Sequence, residues 1–389
     1  LKGVAKVDAL TVRFTTTRPD PIFPDEIPNL YIMSKGWAEE HKVTAPQDIV
    51  AKQETYAVRH ANGTGPFKLE LREPDVRTVM VKNPEWWGLA DPAFKDLNVD
   101  RIVFTPVANA ATRVGALLSG ELDFLLDPPV QDIARLESSG QFTLQRAPEV
   151  RSIFLGMRTG TKELATSSVK GKNPFADIRV RRAMNMAVDV NSITKRIMRG
   201  QAQPAGYVVP PGVHGYHKDL DQHLAFDEDG AKKLLTEAGY PTGFDVRLDC
   251  SNDRYLNDEE ICQAVTGMLA RIGVKVNLDL KPRTLHFPKV QNDQSDFYLL
   301  GWGTLTTDAH YHLAFLALPS TWNRTGYRNQ KMEDLVNALG VETDVIKRDA
   351  MIREASVILR DGYATIPLHT QYLTWATRKG VNVPITADN

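Results

Sequence analysis

The residues best suited to hold a small molecule follow a short apolar strand at positions 297–300. A Gly301-Trp302-Gly303 sequence comes next, and a Thr-rich loop then runs from residue 304 to 308. Glycine and small polar residues let backbone groups and one large aromatic face approach a ligand closely. Trp302 suits either stacking on that ligand or packing inside the protein. The pattern predicts a binding pocket at the end of this strand.

The motifs of common reactions and cofactors are absent from the sequence. It contains no GxGxxG after a strand, no GxxxxGK[ST], no HExxH and no GxSxG. The nearest approach to a metal site, His310-Tyr311-His312, has no acidic or cysteine partner at ligand spacing, which favours ordinary pocket or surface histidines. We therefore predict no catalytic residue, no metal and no cofactor. A hydrolase assembled from distant residues stays as a less favoured alternative.

Composition narrows the class of protein. The 389 residues suffice for two or three domains, and the net charge of −1 without blocks of like charge disfavours nucleic acid or an anionic membrane as partner. No apolar run approaches the roughly 20 residues that a membrane-spanning helix requires. The chain begins inside an apparent strand and shows no signal peptide, so we expect it to be part of something longer or a processed product.

Strands and helices alternate along most of the chain. Residues 244–250 and 274–280 each alternate apolar with polar side chains, and the segment between them has the periodicity of a helix ended by Gly273. This β-α-β unit requires parallel strands and a right-handed crossover, and the strand at residue 297 continues the sheet. Similar spacing recurs between residues 101 and 140. The fold class is therefore α/β.

Two cysteines leave an open question. Cys250 ends the first strand of the β-α-β unit, and Cys262 lies early in the helix that follows. An oxidising compartment would permit a disulfide between them, and the alternative is two small buried apolar side chains.

Several segments together resemble one family. The segment Asp177-Ile178-Arg179-Val180-Arg181-Arg182-Ala183-Met184-Asn185-Met186-Ala187-Val188-Asp189 is similar to the "d-x-x-V-R-x-A-x-x-x-A-i-D" helix of the family 5 extracellular solute-binding proteins, the peptide-binding components of bacterial ABC importers. Four further matches occur in order: Gly63-Thr64-Gly65-Pro66-Phe67, Asn83-Pro84-Glu85-Trp86-Trp87, Gly200-Gln201-Ala202-Gln203-Pro204 and Ile366-Pro367-Leu368. The resemblance covers about residues 5–389.

The resemblance implies a two-lobe periplasmic binding protein, type II-like, with an extra small domain. Residues 1–60 would be the remainder of that small domain. Residues 61–160 and 374–389 would form lobe I, and residues 161–373 lobe II. The resemblance also implies that the first segments of the family fold are missing from this chain.

The resemblance also implies which residues hold the ligand. Arg254 lies in a turn that resembles the "R-P-Y-N" turn where dipeptide-binding members place an arginine for the ligand carboxylate; the alternative is a surface arginine paired with Asp253 or Asp258. Peptide-binding members capture the ligand ammonium with an Asp where this chain has Leu305. Asp308 either replaces that Asp or caps the following helix. The predicted ligand contacts are Arg254, Trp302, Gly303, Thr304, Leu305, Asp308 and Tyr311, with His312 and Trp322 as further candidates.

The function implied is that of a monomeric periplasmic binding protein, or a lipid-anchored extracellular one in a Gram-positive source. It would deliver a peptide or peptide-like solute to an ABC permease in the inner membrane. The Thr-rich stretch after Gly301-Trp302 is similar to that of glutathione-binding members, which favours a peptide-like or modified acidic ligand. Leu305 supports the alternative of a non-peptide solute such as an opine, an oligosaccharide, a nickel chelate or haem.

Overall fold

The computed structural model describes residues 1–48, 54–319 and 323–385, and it confirms the α/β class. The chain divides into two compact units. One unit combines Leu1–Ile27 with Gly120–Asn389, and the other is Pro28–Ser119. None of the described helices is long and apolar enough to cross a membrane. The predicted three-part division at residues 60, 160 and 373 stays a prediction.

The unit Pro28–Ser119 is built on a small antiparallel sheet. Its elements are α2 (Lys35–Glu40), β3 (Phe67–Glu73), β4 (Arg77–Lys82), β5 (Arg101–Phe104) and α3 (Ala110–Ser119), with β4 in the middle of the sheet. The first elements of the other unit are a hairpin and one helical turn: β1 (Gly3–Lys6), β2 (Val12–Thr15) and α1 (Phe23–Glu26).

The larger unit is organised around one mixed sheet with strand order β10-β9-β11-β7-β12-β6, and β8 pairs with β12. The strands are β6 (Phe124–Leu126), β7 (Phe142–Met157), β8 (Ala202–Pro204), β9 (Phe244–Ser251), β10 (Val274–Lys281), β11 (Phe297–Gly303) and β12 (Thr365–Arg378). The helices are α4 (Ile133–Ser138), α5 (Ile178–Met186), α6 (Val190–Ser192), α7 (Glu228–Glu237), α8 (Asp258–Ala270), α9 (Arg283–Gln291), α10 (Ala309–Ala317), α11 (Gln330–Leu339) and α12 (Val345–Asp361). A π-helical turn, Ile193–Ile197, extends α6.

The predicted β-α-β unit is confirmed. Strand β9 pairs with β10 in parallel from Phe244 opposite Val274 onward, and α8 connects them. Strand β11 lies parallel on the other side of β9, so the carboxyl ends of all three strands reach the same edge of the sheet. In open α/β sheets this edge is where ligands bind.

Both faces of the sheet are covered by helices. On one face, Phe297 and Leu299 belong to a core with α5, α7 and α8. On the other, Tyr298 and Leu300 belong to a core with α10, α11 and α12. Because side chains alternate along a strand, this assigns Gly301 and Gly303 to the first face and Trp302 to the second. We call them the α8 face and the α10 face.

The two cysteines form a disulfide, Cys250–Cys262. The bond joins the penultimate residue of β9 to the second turn of α8. Both side chains are fully buried in the core of the α8 face. The alternative of two free apolar thiols is therefore not what the structure contains. The closed loop includes the Arg254 turn.

Breaking this disulfide should destabilise the protein. A cross-link that closes a loop of about 13 residues lowers the entropy of the unfolded chain, which corresponds to about 3 kcal/mol. We expect the Cys250→Ala/Cys262→Ala double variant to unfold at a lower urea concentration than the oxidised protein, and reduction of the wild type to have the same effect. Equal unfolding midpoints with and without the bond would contradict this expectation.

Two histidines lie fully buried in the larger unit. His312 belongs to α10 and His369 to β12, and neither ring nitrogen of His369 has a hydrogen-bond partner among the described residues. Burial lowers the pKa of each to about 4, because the charged ring would lose its hydration. Burial also lowers the pKa of His217, His223, His286 and His310.

Acid should therefore destabilise the fold well above the carboxylate range. Between pH 6.5 and 4 the unfolded chain binds protons that His312 and His369 in the folded state do not. The free energy of unfolding should then fall by about 1.4 kcal/mol per pH unit for each such histidine. Urea unfolding at a series of pH values measures this slope. His369→Leu should lower the slope by about 1.4 kcal/mol per pH unit, because one proton fewer is bound on unfolding. A flat profile from pH 6.5 to 4.5 would contradict the assignment.

Candidate functional site

The candidate site lies at the carboxyl edge of β9 and β11. Strand β9 ends at Ser251 and leads into the Arg254 turn, and β11 ends at Gly303 and leads into the Thr-rich loop. Strand β7 is antiparallel to β11, with Arg151 opposite Gly303, so it contributes side chains to the same edge.

The Arg254 turn is held by one buried carboxylate. Asp258, at the start of α8, accepts hydrogen bonds from the Ser251 hydroxyl (2.8 Å) and from the backbone N–H groups of Arg254 (3.0 Å) and Tyr255 (3.2 Å). Backbone N–H groups bound to a carboxylate leave little freedom in a turn of this kind. Hydrogen bonds of the backbone therefore fix the position of Arg254, and its side chain is left available for other contacts.

Tyr255 joins this turn to the end of β11. Its hydroxyl donates to the carbonyl of Gly301 (3.2 Å) and accepts from the N–H of Gly301 (2.8 Å). A Cβ on Gly301 would lie 2.6 Å from the Tyr255 ring, so only glycine permits this approach. Gly301, predicted as part of a pocket motif, thus allows the Arg254 turn to contact the end of β11.

The Arg254 guanidinium lies over the Tyr255 ring, 5.1 Å from the ring centroid. The side chain is half-buried, and it forms no ion pair in the part of the chain that the structure describes. The two aspartates considered as partners have other bonds. Asp258 binds backbone N–H groups, and Asp253 accepts from the N–H of Arg283 (2.6 Å). The guanidinium fork is thus open to a carboxylate.

Trp302 packs on the α10 face, whereas Tyr255, next to Arg254, belongs to the core of the α8 face. Trp302 stacks on Phe315 with 3.5 Å between ring centroids and an interplanar angle of 11°, and on Tyr311 at 5.5 Å and 17°. This is the packing alternative for Trp302. A ligand contact by Trp302 or Tyr311 stays a prediction.

The Thr-rich loop is held by hydrogen bonds to β7 and within the loop itself. The Thr304 N–H donates to the carbonyl of Val150 (3.2 Å), and the Thr304 hydroxyl bonds both the carbonyl and the N–H of Thr306. The side chain of Leu305 is 64% exposed, so the loop presents an apolar group where an acid was expected from the resemblance.

Asp308 has a structural role. It caps α10 by accepting from the N–H of His310 (2.8 Å), and it forms a two-bond ion pair with Arg348 (2.5 and 2.9 Å). His214 Nδ1 lies 3.0 Å from Oδ2 of the same carboxylate. Burial alone would raise the pKa of Asp308, but the bonds from Arg348 and His214 outweigh it and hold the pKa below its usual value. The capping alternative is what the structure shows, and a ligand contact stays a prediction.

Three side chains at this edge were missed by sequence reasoning. Arg151 Nε donates to Glu149 Oε1 (2.5 Å), and Gln371 Nε2 donates to Glu149 Oε2 (3.4 Å). The residues meet because β7 and β12 shift register here: Ser152 lies opposite Thr370 and Pro148 opposite Tyr372, which leaves residues 149–151 facing Gln371 alone. Such bulges redirect side chains. In the sequence, only the two charged residues that follow Pro148, in Glu149–Val150–Arg151, could have indicated that polar side chains gather here.

The remaining predicted candidates are His312 and Trp322. His312 is fully buried, and Trp322 lies outside the described residues. Within the described ranges, no group of His, Cys, Asp and Glu could hold a metal ion. A cavity of about 330 Å³ lies elsewhere in the larger unit, lined among others by Asn185, Tyr207, Ser356 and Thr365, and contains none of the predicted site residues.

The sequence is similar to those of known binding proteins. A sequence model of the bacterial extracellular solute-binding proteins, family 5 Middle, matches residues 1–324. Heme-binding protein A of Haemophilus influenzae is 27% identical over 380 residues, which cover 95% of this chain and 64% of that protein. Glutathione-binding protein GsiB of Escherichia coli O157:H7 is 27% identical over 332 residues, which cover 83% and 61%. The chain thus spans less than two thirds of the length of these curated relatives.

Solved structures share the fold. The ABC transporter-associated periplasmic binding protein DppA from Helicobacter pylori, in complex with the peptide STSA, is 25% identical with a TM-score of 0.79. The match covers 98% of this chain and 70% of that one. This likeness confirms the predicted periplasmic-binding-protein fold.

The Asp308–Arg348 ion pair should be essential to stability. Asp308→Asn would leave a buried guanidinium without its counter-charge, which costs about 3–5 kcal/mol. Urea unfolding should show this loss, whereas Asp219→Asn, which breaks an exposed ion pair with Arg353, should change the midpoint little. Unchanged stability of Asp308→Asn together with loss of solute binding would contradict the structural role and make Asp308 a ligand contact.

Proposed function

The chain belongs to family 5 of the bacterial extracellular solute-binding proteins, and on that premise we propose that it captures a peptide or peptide-like solute for an ABC importer. The carboxyl edge of β9 and β11 would hold the solute. The protein would act as a monomer in the periplasm, or lipid-anchored outside a Gram-positive cell, and would pass its ligand to a permease in the inner membrane.

One observation supports the proposal most directly: Arg254 presents a guanidinium without an ion-pair partner among the described residues, on a turn fixed by Asp258 and Tyr255. A planar guanidinium fork binds a carboxylate through two parallel hydrogen bonds. Helix α8 starts beside it and adds the positive end of its dipole. A terminal carboxylate is what a peptide or peptide-like solute would offer there.

The relatives support a peptide-like ligand. The names of two similar proteins refer to glutathione and to a bound peptide. The Cys250–Cys262 disulfide fits an oxidising compartment such as the periplasm. Binding would proceed by closure of the protein around the solute, because a ligand that contacts both sides of a cleft favours the closed state.

We further propose that binding is the whole activity and that the bound solute is released unchanged. The family that the chain belongs to is one of solute-binding proteins. Hydrolysis of a bound peptide by the purified protein would contradict this part of the proposal.

A non-peptide solute is the second candidate, and Leu305 is the observation that favours it. A peptide ammonium needs a carboxylate or carbonyl partner when it is buried, whereas the loop offers an exposed leucine at the expected place. One relative is a heme-binding protein. Binding of a neutral or apolar solute that is insensitive to Arg254 would decide for this candidate.

Arg254 should dominate the affinity for a carboxylate-bearing solute. Titration calorimetry with glutathione and with alanyl-alanine should show at least about a 10-fold loss of affinity in Arg254→Ala, because a charged hydrogen-bond pair is worth about 1.5–3 kcal/mol. The matched control is Arg182→Ala, which removes an exposed arginine of α5 and should bind as the wild type does. Equal affinities of Arg254→Ala and the wild type would remove Arg254 from the site.

A further inference from the structure

We propose that Arg151 is a second ligand-binding arginine, so that the carboxyl edge of the sheet recognises an acidic peptide-like solute with two carboxylates. The inference rests on the proposed function and names the solute class for the same site.

Arg151 is held by only one of its three guanidinium nitrogens. Nε donates to Glu149, whose carboxylate is braced by Gln371 on the other oxygen. The two terminal nitrogens form no hydrogen bond within the described ranges. The side chain of Arg151 is 23% exposed and that of Glu149 only 10%. Glu149 thus orients the guanidinium and leaves both terminal nitrogens without a hydrogen-bond partner among the described residues.

Gly303 makes room for this arrangement. A Cβ at Gly303 would lie 3.1 Å from Nη2 and 3.2 Å from Cζ of Arg151, which is tighter than ordinary contact. The absence of a side chain lets the guanidinium lie against the end of β11. Gly303 was predicted as a site residue, and this contact gives it a physical role: it admits Arg151 to the edge where the ligand loops begin.

Arg151 and Arg254 belong to one connected assembly. The N–H of Leu256 donates to Gln371 Oε1 (3.3 Å), and Gln371 in turn donates to Glu149. The Arg254 guanidinium lies 5.1 Å from the centroid of the Tyr255 ring, and the Tyr255 hydroxyl bonds the backbone of Gly301. The Arg151 guanidinium lies against Gly303, two residues further along β11.

Both arginines have unused hydrogen-bond donors at this edge. Among the described residues, the Arg151 guanidinium donates only through Nε, to Glu149, and the Arg254 guanidinium forms no hydrogen bond or ion pair. A solute with two carboxylates would accept hydrogen bonds from both arginines, and its ammonium could bond Glu149. A plain dipeptide, with a single carboxylate, would engage only one of them.

The test is titration calorimetry on the oxidised full chain with three probes. Glutathione carries two carboxylates, its glycyl ethyl ester carries one, and alanyl-alanine carries one. The variants are Arg151→Gln, Arg151→Lys, Arg254→Ala and the control Arg182→Gln. Thermal unfolding of each variant confirms that it is folded, and Gly303→Ala displaces the Arg151 guanidinium without removing it.

We expect glutathione to bind at least 10-fold more weakly to Arg151→Gln and to Arg254→Ala, with partial rescue in Arg151→Lys and an intermediate loss in Gly303→Ala. With the ester, one of the two arginine variants should bind as the wild type does, because its carboxylate partner is blocked. Wild-type affinity of Arg151→Gln for glutathione, or an equal loss with acid and ester in both variants, would overturn the inference. Binding of alanyl-alanine through Arg254 without binding of glutathione, or binding of none of the probes, would overturn the inference alone. A co-purified solute that carries no carboxylate would overturn the proposed function as well.

Discussion

The pairing of β7 with β12 is the constraint on which the larger unit depends. The two strands run antiparallel from Thr365 opposite Gly156 to Arg378 opposite Phe142, and every other strand of the sheet attaches to one side of this pair or the other. The pairing is not uniform. Its second register shift, between Thr370 and Tyr372, lies level with the end of β11.

That register shift places charged and polar side chains at the sheet edge. A regular ladder would direct alternate side chains to opposite faces, but the shift gathers Glu149 and Arg151 around the single residue Gln371. The Arg254 turn reaches the same place by a different route, through the Tyr255 hydroxyl and the bare backbone of Gly301. The proposed site therefore combines a turn fixed by backbone hydrogen bonds with a bulge fixed by an ion pair.

Local patterns in the sequence predicted much of this. The β-α-β unit follows from periodicity, and the cap of α10 by Asp308 was one of the two alternatives given for that residue; both depend only on neighbouring positions. Strand β7 was missed, because Pro148 and three charged residues interrupt its alternation, and only pairing with a strand more than 200 residues away explains them. The Arg348 partner of Asp308 was missed for the same reason. Trp302 was left undecided between ligand and core, since only the position of α10 shows that it stacks on Phe315.

The central claim is that this member of the family binds a carboxylate-bearing, peptide-like solute. Native mass spectrometry of the protein, purified without denaturation and with its disulfide intact, tests it most directly by weighing and then fragmenting the solute that co-purifies. The account predicts a peptide or modified peptide with at least one free carboxylate. A neutral oligosaccharide, or a metal chelate without a peptide component, would contradict it.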